Sequence, residues 1–164
     1  MILDEIGAKK KIRLQERKAK CPLEQLKQQA LKLQRKPLDF QDAVRQEGLS
    51  IIAEVKKASP SKGVIRPDFD PQAIARAYLK AGVQAMSILT EEDFFQGSDE
   101  YFKQIRSFAN IPLLRKDFII DEYQIYEAYC MGADAILLIA AILDNTTMKR
   151  FYNITTTLGM HCFN

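Results

Sequence analysis

Histidine, cysteine and long apolar runs are scarce in this 164-residue chain. His161 is the only histidine, so neither a metal site nor a Ser-His-Asp arrangement is supported. Cys21, Cys130 and Cys162 are odd in number, far apart and free of any CxxC spacing. They read as reduced thiols, which excludes a disulfide framework and a cysteine zinc site. The longest apolar run, Ala135 to Leu143, is far shorter than the ~20 residues a membrane helix needs. The opening MILDEIGAKKKIRL lacks the apolar core of a signal peptide and carries acids. No low-complexity stretch or linker divides the chain. The expectation is one soluble, cytoplasmic domain, and a hydrophobic content of 47% is ordinary for a folded one.

Net charge is only +3, but it is unevenly spread. Residues 1–36 hold 11 Lys/Arg against 4 Asp/Glu, and the remainder holds 13 against 17. A basic arm can bind nucleic acid or steer an anionic substrate. No recognition motif accompanies the charge, and the expectation is a solvated helix face with no nucleic-acid partner.

Residues 2–19 read as a helix punctuated by Cys21-Pro22. Leu23, Leu26, Ala30 and Leu33 then recur at helical spacing in a second helix, which Pro37 ends. Asp39 to Gln46 reads as a short helix capped by Asp39 and closed by Gly48. From Ser50 onward strands and helices alternate. The strands are expected at 50–56, 84–89, 112–116 and 134–140, with a fifth beginning near 160. Helices are expected at 71–81, 98–108, 121–131 and 145–157. Asp70-Pro71, Ser98, Asp121 and Asp144 supply starts, and Gly82, Gly132 and Gly159 supply stops. Strands that read apolar on both faces, repeated with helices between them, predict an α/β fold with a helix-covered parallel sheet.

The first stretch that bears on chemistry is Ser50 to Gly63, SIIAEVKKASPSKG. Glu54 and Lys56 interrupt its apolar run and point to the same side of the strand, about 7 Å apart. Opposite charges at the C-terminal end of a buried strand are costly unless paired or used. An internal ion pair before an ordinary loop and an active site both fit these residues. The second stretch, IPLLRKDFII at 111–120, tips the balance. Leu114, Lys116 and Phe118 share a face, so Lys116 joins Glu54 and Lys56 at one mouth of a parallel sheet. A lysine there suits general acid/base or anion-binding work. In the third stretch, LTEEDFFQG at 89–97, Phe94 and Phe95 either cover an apolar ligand surface or pack on neighbouring helices. Glu91, Glu92 and Asp93 splay apart, which predicts a solvated acidic turn rather than a metal site.

IIAEVKKASPSKG, LTEEDFFQGS, LLRKDFIID and GADAILLIAAIL, in that order, resemble indole-3-glycerol phosphate synthase of tryptophan biosynthesis. LDEIGAKKKIRLQERKA with the following Cys-Pro-Leu is similar to that family's N-terminal extension. The resemblance covers essentially the whole chain. It implies a (β/α)8 TIM barrel, here the N-terminal half-barrel of four to five parallel strands behind a helical extension. Residues 1–48 would form the extension, and 49–164 the first four βα units and the start of strand five. The implied enzyme is a decarboxylating carbon-carbon lyase that uses no metal or organic cofactor. It closes 1-(2-carboxyphenylamino)-1-deoxyribulose 5-phosphate, a phosphorylated small molecule, into indole-3-glycerol phosphate, releasing carbon dioxide and water. Lys116 matches the family's general-acid lysine, Glu54 the glutamate of proton transfer and dehydration, and Lys56 the lysine facing the substrate's anionic groups. Ser59 lies beside them, and Phe94, Phe95 and Phe118 fall where the family holds the anthranilate ring.

A complete barrel takes about 250 residues. The resemblance implies further catalytic and phosphate-binding residues on strands five to eight, absent from these 164 residues. The expectation is therefore little or no synthase activity from this chain alone. Four or five strands cannot close a barrel, and open edges invite self-association or completion by another chain. A noncatalytic half-barrel that acts as an assembly module is the alternative.

Overall fold

The computed structural model describes residues 2–164. Three helices lead the chain: α1 (Ile2–Lys20), α2 (Leu23–Leu33) and α3 (Phe40–Val44). Then come β1 (Ile52–Val55), a small hairpin of β2 (Ala58–Ser59) and β3 (Gly63–Val64), and α4 (Pro71–Ala81). The alternation continues with β4 (Ala85–Leu89), α5 (Asp99–Arg106), β5 (Leu113–Lys116), α6 (Glu122–Met131), β6 (Ala135–Leu137), α7 (Asn145–Thr157) and β7 (His161–Phe163).

The helix starts are chemical. Asp70 accepts the Ala73 N–H at 3.0 Å ahead of Pro71, and Ser98 accepts from Glu100. Asp121 and Gln124 form a reciprocal capping box. Asp144 accepts from Thr147 at 2.8 Å. These side chains satisfy first-turn donors that have no partner within the helix.

The five-stranded sheet runs in the order β1-β4-β5-β6-β7, parallel throughout. Its strands lie in chain order, and right-handed crossovers between parallel strands then put every connecting helix on one face. Alternation along each strand sorts the side chains. On the helix-covered face Val55, Met86, Ile88, Leu113 and Ile136 join Phe102, Ile105, Ile125 and Phe151 in one core. The opposite face carries Glu54, Ser87, Leu114, Lys116 and Ala135, as the strand registers require. At its N-terminal end Phe40, fully buried, packs against Ala85, Leu114 and Ala135. The Phe40 ring meets Phe163 edge-on, with centroids 5.0 Å apart.

Below the sheet Asp134, also fully buried, gathers four donors. Its Oδ1 accepts the Leu38 N–H at 2.8 Å and Arg35 Nη1 at 3.2 Å. Its Oδ2 accepts the Leu113 N–H at 2.9 Å and Arg106 Nη1 at 2.6 Å. One carboxylate thereby joins the chain after α2, the end of α5 and the start of β5.

Several expected boundaries move. Helix α2 stops at Leu33, where Gln34 takes left-handed backbone at φ 44°, before Pro37 is reached. Helix α3 ends at Val44, short of Gly48. Strand β6 spans only Ala135–Leu137, because the chain leaves the ladder early for the turn that precedes α7. The loop after β1 holds an antiparallel hairpin that the turn-rich sequence did not announce. Strand β1 is not buried on both faces: it lies at the sheet edge, and Ile51 and Ile52 are 47% and 45% exposed. Among the described residues, no helix is long and apolar enough to cross a membrane.

Candidate active site

The site grows from the C-terminal ends of β1, β4 and β5. Glu54 lies opposite Ser87, and Leu89 opposite Lys116, so register alone brings β1 and β5 chemistry to either side of β4. The Glu54 carboxylate accepts from Lys116 Nζ at 3.0 Å and, through its other oxygen, pairs with Lys56 Nζ at 3.1 Å. Ser87 Oγ adds a 3.4 Å contact, and the Glu54 carbonyl accepts from Tyr78 Oη at 3.0 Å. Lys56 lies one residue past the strand and still reaches Glu54.

All three side chains are about a third exposed, so the cluster is open to a solute. Burial pushes the Glu54 carboxyl up, but the hydrogen bonds from Lys116 and Lys56 outweigh it and hold the group below its ordinary range. The arrangement is an ionised carboxylate between two ammonium groups. It can hold an anion, donate a proton from nitrogen and accept one at oxygen.

Phe118, two residues after Lys116, faces Phe95 with ring centroids 6.0 Å apart. Phe94 is half-buried, and its N–H and that of Phe95 both donate to Glu91, at 2.7 and 3.0 Å. Ser59 is buried in the hairpin, where its Oγ lies 3.5 Å from Ser61 Oγ and accepts the Lys62 N–H. Phe118 also lines a cleft of about 770 Å³, walled by Leu3, Ala8 and Lys11 of α1 and by Ile142 and Leu143 before α7. Helix α1 thus lies against the loop that follows β5. Among the described residues, no group of three or more His, Cys, Asp or Glu could hold a metal ion.

Two expectations are corrected. The acidic turn is solvated only in part: Asp93 is exposed, but Glu91 is fully buried and accepts three backbone N–H groups, from Asp93, Phe94 and Phe95. Nor is the whole basic face of α1 left to water, although Lys9, Lys11 and Lys20 are exposed. Lys10 is buried against Asp117 at 2.8 Å, Arg13 pairs with Glu92 and Asp93, and Arg17 with Glu92, Asp99 and Glu127. Lys18 reaches Asp121 at 2.6 Å. Four cations of α1 thus pair with acids of the loops after β4 and β5 and of α5 and α6.

Arg115, 1% exposed, went unnoticed in the sequence. Its guanidinium donates to Thr90 Oγ1 at 3.1 Å, the Gln124 carbonyl at 2.9 Å and Asp99 at 3.0 Å. Burial works against its charge, and Asp99, Asp117 and Glu127 outweigh it. The signal was available: if Lys116 points to one face, alternation sends Arg115 and Asp117 to the other.

The family profile described as "Indole-3-glycerol phosphate synthase" matches residues 3–163. Among curated relatives, the indole-3-glycerol phosphate synthase of Acetivibrio thermocellus is 52% identical, over 99% of this chain and 63% of the relative. That of Clostridium acetobutylicum is 49% identical, over 98% of this chain and 61% of its own length. The protein of the same name from Neisseria meningitidis serogroup B is 60% identical, over 68% of this chain and 43% of its own. The chain therefore spans about three fifths of the first two relatives. Its sequentially ordered parallel sheet is part of the family's α/β barrel. On the profile match and these identities, the chain belongs to the indole-3-glycerol phosphate synthase family.

Proposed function

We propose that Glu54, Lys56 and Lys116 serve the closure of 1-(2-carboxyphenylamino)-1-deoxyribulose 5-phosphate to indole-3-glycerol phosphate. The observation that carries this reading is the Glu54 carboxylate between two ammonium groups at the C-terminal ends of β1 and β5. Lys116 protonates the substrate carbonyl oxygen as the ring carbon attacks. Carbon dioxide leaves from the carboxylated ring position. Glu54 relays protons during loss of the hydroxyl as water, and Lys56 faces the substrate's anionic groups. Phe94, Phe95 and Phe118 supply apolar surface to the aromatic ring, and Ser59 a hydroxyl beside it. Residues up to 48 act as an extension over this face, and the protein works in the cytoplasm as a biosynthetic enzyme.

Ring closure needs an acid and a base on opposite sides of the substrate. Glu54 is the one carboxylate on the inner face of the five strands, and both lysines hold it. The 164-residue chain by itself therefore binds substrate and turns it over slowly or not at all. The half-exposed Ile52 on edge strand β1, with Ile51 just before it, favours a second reading, an assembly module that pairs through that edge. A single-chain mass by light scattering removes it.

The test uses a substrate analogue whose ketone is reduced to an alcohol and so cannot cyclise. Binding is followed by the fluorescence of its anthranilate ring, and turnover of the true substrate by indole emission. The folded chain should bind the analogue, and Lys116→Ala should weaken binding about ten-fold or more, the value of one charge-assisted hydrogen bond. A folded chain that does not bind it sinks the reading, and substantial turnover by the 164 residues overturns the inactivity claim.

A further inference from the structure

Outside the Glu54 cluster, the buried cation that α1 contributes to both aromatic loops is Lys10. It is 5% exposed, at the centre of α1, and its Nζ lies 2.8 Å from Asp117 Oδ1 and 3.9 Å from Glu91 Oε1. Both acids are at most 3% exposed. Each organises a loop. Asp117 accepts the Phe118 N–H at 2.8 Å and Thr90 Oγ1 at 2.6 Å, with Arg115 Nη2 3.5 Å away. Glu91 holds the N–H groups of Asp93, Phe94 and Phe95. Asp117 sits between Lys116 and Phe118 in the chain, and its outward anchoring sets the inward pitch of both. Buried carboxylates are tolerated only when charge-paired and hydrogen-bonded. One ammonium on α1 does this for the loop after β4 and the loop after β5 together.

The geometry points to Lys10 as a positioning residue: by pairing with Asp117 and lying within ion-pair distance of Glu91, beside the Arg115 that also faces Asp117, it couples the docking of α1 to the placement of Phe94, Phe95, Phe118 and Lys116. This rests on the functional reading above and assigns Lys10 no contact with the substrate. Without that charge two buried carboxylates repel each other or draw in water, and the backbone they hold loosens. The effect is local, because the other end of β5 hangs on Asp134, far from α1.

The experiment compares wild type, Lys10→Met, Lys10→Arg and, as an exposed control on the same helix, Lys20→Met. Two readouts are taken: amide hydrogen exchange by NMR and affinity for the reduced analogue. In Lys10→Met the amides of Phe94, Phe95 and Phe118 should exchange about ten-fold faster or more. The Leu113 amide, which Asp134 holds, should stay protected. Analogue affinity should fall about ten-fold, Lys10→Arg should recover most of it, and Lys20→Met should change neither readout. Unchanged exchange and affinity in Lys10→Met overturns the inference. Loosened loops with unchanged affinity overturns it too, since Lys10 would then be structural only. If Lys10→Met loses Leu113 protection as well, Lys10→Gln, which keeps a donor, is judged by the same criteria, and a second global loss counts against selective positioning. Failure of the wild type to bind the analogue sinks the functional reading and this inference with it; binding that Lys10→Met leaves intact sinks this inference alone.

Discussion

Replacing Asp134 with asparagine changes almost no volume and should cost the fold about 3 kcal/mol. Each carboxylate oxygen accepts one backbone N–H and one guanidinium, Leu38 with Arg35 on one side and Leu113 with Arg106 on the other. An asparagine keeps one oxygen and turns an NH2 group toward the other pair, donor against donors, whichever way it flips. The stranded backbone N–H costs about 1–3 kcal/mol and the lost charge-assisted bond about 1.5–3 kcal/mol. Arg35 and Arg106 are 22% and 20% exposed and partly rehydrate, which places the sum in the lower half of that range. With a urea slope of about 2 kcal/mol per molar, the midpoint should fall by ~1.5 M. The assay is urea unfolding followed by far-UV circular dichroism, with Leu113 amide exchange as the local reporter. A midpoint within ~0.5 M of wild type, with Leu113 still protected, would refute the idea that this carboxylate ties the chain after α2 to the base of the sheet.

Two further outcomes follow from the inner face. The Glu54 carboxyl, held below its ordinary value of 4.5 by Lys116 and Lys56 against the pull of burial, should titrate by 13C NMR with a midpoint under 4.5. Its folded-state pKa is depressed, so its stabilising contribution is present above the unfolded value and is lost as pH falls through the folded one. A midpoint above 4.5, or one that Lys116→Met fails to raise, contradicts the described pairing. Phe40→Ala removes a fully buried ring from the N-terminal end of the inner face and should cost about 3–5 kcal/mol. A thermal midpoint lowered by less than a degree or two would show that α3 does not plug the sheet.

Strand and helix alternation, the caps at Asp70, Ser98, Asp121 and Asp144, and the inward set of Glu54 and Lys116 were legible because each depends on near neighbours. A cap is a three-residue event, and the face a strand residue takes depends on parity along its own strand. The same parity, applied to Arg115 and Asp117, would have exposed the outward charges. It did not reveal that Arg115 meets Asp99, or that Lys10 meets Asp117, since those partners are set by how separate elements pack. The charge of α1 was misjudged in part for the same reason: Lys10, Arg13, Arg17 and Lys18 look solvated until the opposing acids are placed, while Lys9, Lys11 and Lys20 are exposed.

By itself the sequence determined the repeating units and the face of the strand on which Glu54 and Lys116 stand, because hydrophobic period and turn chemistry act over a few residues. Tertiary structure alone decided which charges cancel. Ion pairing depends on through-space distance, and it turned part of an apparent basic arm and an acidic loop into one seam of ion pairs, buried at Lys10, that holds α1 to the loops after β4 and β5.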